Sequence, residues 1–140
     1  MSDVAMAVLL TDALNGRQID AEPSPAGRLV AVGRWWDIES ALSRIAQIKG
    51  WTVEKIDSAR LNVNDLDYDS PITSTVRHAA ASDRTWLFVV TGANAAMLAD
   101  ERSMRGYARI AAAGPVVIVS DQLPPAAPEG WTLVDVAGWV

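Results

Sequence analysis

Two patterns of apolar and polar positions alternate along this chain. Unbroken apolar runs occupy Leu29–Val32, Trp86–Val90 and Val116–Val119. A strand with one wet face alternates, whereas a strand covered by helices on both faces is apolar throughout. These runs therefore predict buried strands over 28–34, 85–91 and 115–120. Trp51–Ile56 (WTVEKI) does alternate, which predicts a strand nearer a sheet edge, and Trp131–Val136 (WTLVDV) predicts a last strand.

Between the runs the period changes to that of a helix. Ile38, Ala41, Leu42, Ile45 and Ile48 form one stripe, with Asp37 as N-cap, Lys49 at the C-terminal dipole and Gly50 as terminator. Ser70-Pro71 opens another helix, with Ile72, Thr75, Val76 and Ala79 along one face. Asn94 caps a helical stretch reaching Ala113, either continuous or divided so that Asp100 starts a second helix. Its buried stripe is expected to be Met104, Tyr107, Ala108, Ala111 and Ala112, and Gly114-Pro115 ends it. Ser2-Asp3 can cap a helix over 4–14, although the apolar run Val4–Leu10 also suits a strand. Residues 15–27 read as an extended connector, and 57–69 and 121–130 as loops.

Strands alternating with helices imply a parallel sheet with right-handed crossovers. The expected architecture is one α/β domain over 1–140. It is a three-layer sandwich on a mainly parallel, roughly five-stranded sheet, Rossmann- or flavodoxin-like. A strand order of 2-1-3-4-5 would place the topological switch point between the strands ending at Gly33 and Gly92. Ligands bind at such points, beyond the carboxyl ends of the strands.

Composition narrows the chemistry. Half of the 140 residues are apolar and 21 % are charged, enough for a substantial core. The net charge is −5, and the ten arginines and two lysines form no cluster, which argues against nucleic acid. With no cysteine, disulfides, thiolate nucleophiles and Cys-based zinc sites are excluded. Asp65, Asp67 and Asp69 alternate as in a calcium loop, but the glycine and the later glutamate of that loop are missing. No metal or cofactor is expected. The lone His78 has no histidine to pair with and reads as structural. No basic n-region opens the chain and no apolar run spans a bilayer, so a soluble cytoplasmic protein with no membrane partner is expected.

The candidate ligand-binding residues lie at the strand ends: Gly33, Arg34, Trp35, Asp37, Thr91, Gly92 and Asn94. Glycine lets a ligand approach the backbone, and Arg34 offers a fork of donors to phosphate or carboxylate. Trp35 offers a flat face, and the N–H groups after Asn94 can receive an anion. Glu101, near the end at Gly92, is the candidate catalytic carboxylate, and helix-dipole complementation is its ordinary alternative.

Trp86-Leu-Phe-Val-Val, Gly106-Tyr107-Ala108 and Gly114-Pro115-Val-Val-Ile-Val, within Asp83–Asp121, resemble the nucleoside 2-deoxyribosyltransferase-like superfamily. The upstream order of Leu29–Gly33, a helix ending at Gly50 and Trp51–Ile56 is also similar, so the resemblance covers about two-thirds of the chain. It implies a nucleoside- or nucleotide-sized pocket. The family's nucleophilic glutamate stands two residues before the glycine, where this chain has Met104, and Glu101 lies about one helical turn earlier. The resulting expectation is a nucleotide-like small-molecule binding domain, with N-glycosidic chemistry through Glu101 as its catalytic form. The competing expectation is a non-catalytic interaction or homo-oligomeric module anchored by Trp35, Trp36, Trp131 and Trp139.

Overall fold

The structure is a computed structural model that describes residues 6, 7, 10–12, 27–58 and 71–136, with backbone alone for 71–75. Strand β1 (Arg28–Val32) leads to helix α1 (Trp35–Lys49), strand β2 (Thr52–Asp57) and helix α2 (Pro71–Ala80). Strand β3 (Trp86–Ala93) then precedes helices α3 (Ala95–Ala99) and α4 (Glu101–Ala111), and strands β4 (Val116–Ser120) and β5 (Thr132–Asp135) complete the fold. The five strands form one parallel sheet with helices on both faces, the expected three-layer α/β architecture.

Side chains one residue apart on a strand enter opposite layers. Leu29 and Ala31 of β1, Leu87 and Val89 of β3, and Val117 and Val119 of β4 pack with Ile38, Ala41, Leu42 and Ile45 of α1. Val30, Phe88, Val90, Val116 and Ile118 enter the other layer, with Ala79 of α2, Leu98 of α3, and Tyr107 and Ile110 of α4. Unbroken apolar runs are the consequence of two such layers. β2, at one edge, has one buried residue among part-buried and exposed ones and alternates in polarity, as its sequence predicts, and β5, at the other edge, is likewise only partly buried.

The order is β2-β3-β4-β1-β5, not 2-1-3-4-5. β4 lies between β1 and β3, and Arg28–Val32 pairs in register with Val116–Ser120. The unbroken runs of β1, β3 and β4 identify interior strands but carry no information about their sequence within the interior.

Local details also differ from expectation. α1 begins at Trp35, with Arg34 in the cap position and Asp37 inside the first turn. Gly50 does end it, at φ 70°. Ile48 extends the predicted stripe but is 76 % exposed, and Ala46 is buried in the last turns instead. Asp100 divides the stretch after Asn94 by accepting the Ser103 N–H, so α3 and α4 are separate helices. The Ser103 hydroxyl also donates to this carboxylate, at 2.7 Å, and holds it below its ordinary pKa. Ala112 is exposed, and the apolar anchor of α4's last turn is Ile110. Residues 6, 7 and 10–12 are helical, with Met6 and Leu10 buried against the α1 layer; the rest of 1–26 lies outside the described residues.

Among the described residues, two buried hydroxyls have no hydrogen-bond partner: Ser58 Oγ and Thr132 Oγ1. A buried unsatisfied polar group is destabilising by its lost hydration. Thr132→Val keeps the side-chain shape in β5 and removes the hydroxyl, so it is expected to stabilise by about 1 kcal/mol. Thermal unfolding checks this: the Tm should rise by roughly 3–5 °C for a domain of this size, and a fall would mean that the hydroxyl has a partner in solution.

Candidate functional site

The strand order builds the site. β1 continues into α1 on one face of the sheet, whereas β4 continues into 121–131, whose Trp131 packs in the opposite layer. Two neighbouring strands whose connections leave by opposite faces open a crevice at their carboxyl ends. A cleft of about 570 Å³ lies there, and it extends to β3. The β1–α1 turn contributes Gly33, Arg34, Trp35 and Trp36; β4 and its exit contribute Val119, Asp121 and Gln122; β3 and its exit contribute Gly92, Ala93 and Asn94.

Five of the seven residues expected to bind ligand thus meet in one cleft: Gly33, Arg34, Trp35, Gly92 and Asn94. Asp37 and Thr91 are not part of its lining. Asp37 is carried into the first turn of α1, and Thr91 is a ladder residue of β3 opposite Asp57. The floor strand β4 supplies Asp121 and Gln122. Both follow a strand end visible in the sequence, but the assumed order had placed β4 away from the switch point.

The two tryptophans of the turn diverge. Trp35 is half-buried against the α1 layer, with the Lys55 ammonium 5.4 Å from its ring centre. Lys55 is also ion-paired with Glu39. Trp36 is 63 % exposed, and the Arg34 guanidinium sits 5.9 Å from its ring centre. A cation over an indole face is attracted by the ring quadrupole, so Trp36 braces Arg34 at the cleft mouth.

The two helix starts at the cleft differ in availability. Two of the N–H groups after Asn94, expected to receive an anion, are already engaged: Asn94 Oδ1 accepts from Met97 N–H at 2.9 Å, and Gln122 Oε1 accepts from Ala95 N–H at 3.1 Å. Gln122 is itself held by Ser120, whose hydroxyl donates to its carbonyl at 2.8 Å and accepts from its N–H at 3.1 Å. α1 is different, because Arg34 in the cap position makes no side-chain cap. The first N–H groups of a helix have no partner within it and carry the positive end of its dipole.

At the β3 side the ladder slips between Val90 and Ala93, and Gly92 has φ 75°. A Cβ there would lie 3.3 Å from Ser58 Oγ and 3.5 Å from Asp57 Oδ1. Glycine at 92 therefore serves both the bulge and the approach of the β2 exit.

Glu101 lies elsewhere. It lines a second groove of about 470 Å³ between α3–α4 and the proline-rich segment 124–131. The break at Asp100 starts a new helix, and its first residue faces this groove rather than the cleft. Met104 lines the same groove, while Gly106 and Tyr107 are buried. The Tyr107 hydroxyl lies 4.0 Å from Met97 Sδ, and burial, aided by Asp100, raises its pKa. Gly106-Tyr107 therefore packs the interior. Trp131, expected as an interface anchor, is 5 % exposed in the core, and Trp139 lies outside the described residues. His78 packs edge-on to Trp86, 5.6 Å between centroids, at the amino end of β3 and away from the cleft.

No described helix is long and apolar enough to cross a membrane. Comparison with protein-family models, curated proteins and solved structures returned no match to the chain.

Proposed function

We propose that the chain binds a nucleotide-like small molecule in the cleft over β1, β4 and β3. The observation that carries this reading is the pairing of Arg34 with the side-chain-uncapped start of α1 at one wall of that cleft. Both attract an anion, and phosphate is the anion whose oxygens suit a guanidinium fork and helix N–H groups together. Asp121, Asn94 and Gln122 line the other parts of the cleft. A carboxylate there accepts from hydroxyl or amino donors, so the ligand carries an anion at one end and such donors beyond it. The nucleotide-sized pocket implied by the resemblance agrees with this description. Because Glu101 lines the other groove, the proposal is binding without glycosidic chemistry at the cleft.

Thermal shift tests it with adenosine 5′-monophosphate, adenosine and inorganic phosphate. A nucleotide at one hundred times its Kd stabilises by about 2.7 kcal/mol, and the nucleotide should outperform either fragment. Arg34 is exposed and the Trp36 ring beside it is exposed too, so Arg34→Ala should keep the unliganded Tm and lose most of the nucleotide shift. The absence of any shift in the wild-type protein at millimolar nucleotide would overturn the proposal.

A further inference from the structure

The second groove has an amphipathic character of its own. Its floor is apolar, formed by Leu98, Met104 and the buried Trp131, with the prolines of 124–128 as the opposite wall. Four charges stand on it: Arg28 and Arg105, Glu101 and Glu129. None of the four forms an ion pair with a described residue. Arg28 is half-buried, where an unpaired charge loses hydration without compensation. Glu101 and Arg105 are one turn apart on α4, a spacing that favours pairing within a helix, yet they remain apart.

Position orders two of these charges, Glu101 and Arg28, along the groove. α4 returns the chain from the carboxyl end of β3 to the amino end of β4, so Glu101, its first residue, lies toward the carboxyl end of the sheet. Arg28 is the first residue of β1 and lies at the amino end. The lining stretch of α4, from Glu101 to Ala108, rises about 10 Å at 1.5 Å per residue. An extended chain covers that length in about three residues at 3.3 Å each.

We infer that this groove binds a short apolar peptide by both of its ends. The peptide's ammonium group meets Glu101, its carboxylate is shared by Arg28 and Arg105, and its side chains lie on Leu98, Met104 and Trp131. A bidentate arginine–carboxylate pair supplies the directional contact, and a volume of about 470 Å³ suits a ligand of that size. The site is separate from the cleft and does not depend on what the cleft binds.

Isothermal titration of the whole chain with trileucine tests the inference, alongside N-acetyl-trileucine and trileucine amide. Saturable binding of trileucine is expected, weakened at least tenfold by blocking either end. Glu101→Gln and Arg105→Ala change exposed side chains on α4. The first should weaken trileucine at least tenfold without altering the weak binding of the acetylated form, and the second should weaken trileucine but not the amide. Adenosine 5′-monophosphate should not displace the peptide. No saturable binding at millimolar trileucine, or binding that survives either blocked end, would overturn it.

Discussion

Gly114→Ala is expected to destabilise the protein by about 3 kcal/mol, the upper part of the range for overpacking. A Cβ at this position would lie 2.3 Å from the Trp86 carbonyl oxygen, 3.4 Å from its carbon and 3.6 Å from Phe88 Cε2. The first of these is a backbone atom at the start of β3, so no side-chain rotation relieves the clash. The α4–β4 turn would have to move away from the strand beside it, and Val116, which begins β4 and pairs with both Phe88 and Arg28, would move with it. Gly50→Ala is the comparison. Gly50 has φ 70° but nothing within 4 Å of an added Cβ, so the change there carries only the left-handed backbone penalty of about 1–2 kcal/mol. Urea unfolding of both variants should rank Gly114→Ala as the more damaging. The reverse ranking would mean that the turn yields freely and that close approach is not why glycine stands at 114.

Phe88→Ala should be more damaging still, by about 3–5 kcal/mol. The ring is fully buried at the centre of the layer beneath α2 and α4, with the Trp86 ring 6.3 Å away. Its strand is hydrogen-bonded on both sides, opposite Glu54 and Val116, so the backbone cannot collapse into the space left behind. Against a total stability of about 5–15 kcal/mol for a domain, the variant is left near the edge of folding. Phe88→Leu keeps most of the volume and should lose under about 2 kcal/mol. Equal midpoints for the two variants, with unchanged urea dependence, would show that the layer repacks and that the ring is not its keystone.

These two positions also show what could be read from the chain. Phe88 was legible because it belongs to an unbroken apolar run, and a strand carries such a run where both faces of its sheet are covered. Gly114 was legible as a terminator, but its function is a close approach to Trp86, which is remote in sequence. The same division holds at the cleft. Gly33, Arg34, Trp35, Gly92 and Asn94 follow strand ends, and strand ends can be located from pattern alone. Asp121 and Gln122 follow one too, but their membership depended on β4 lying beside β1, and that is a tertiary choice. Glu101 failed to reach the cleft for a local reason: the carboxylate of Asp100 caps a new helix and redirects the chain. Asp100 was recognisable as a cap, yet the direction of the resulting bend was not encoded in any period. Ile48 fits the helical stripe but lies too near the end of α1 to be covered by the sheet.

The place of β1 has a consequence for how the chain acquires its fold. Its two neighbours, β4 and β5, are the last of the five described strands to leave the ribosome. Until Val116–Ser120 has emerged, Arg28–Val32 has no edge to join, whereas β2 and β3 can already pair. Of these five, the first strand synthesised is therefore among the last to be placed, and the crevice beside it forms only once β4 has arrived. Non-local pairing of this kind slows folding, and it leaves an apolar strand waiting in the nascent chain, the segment with most need of a chaperone.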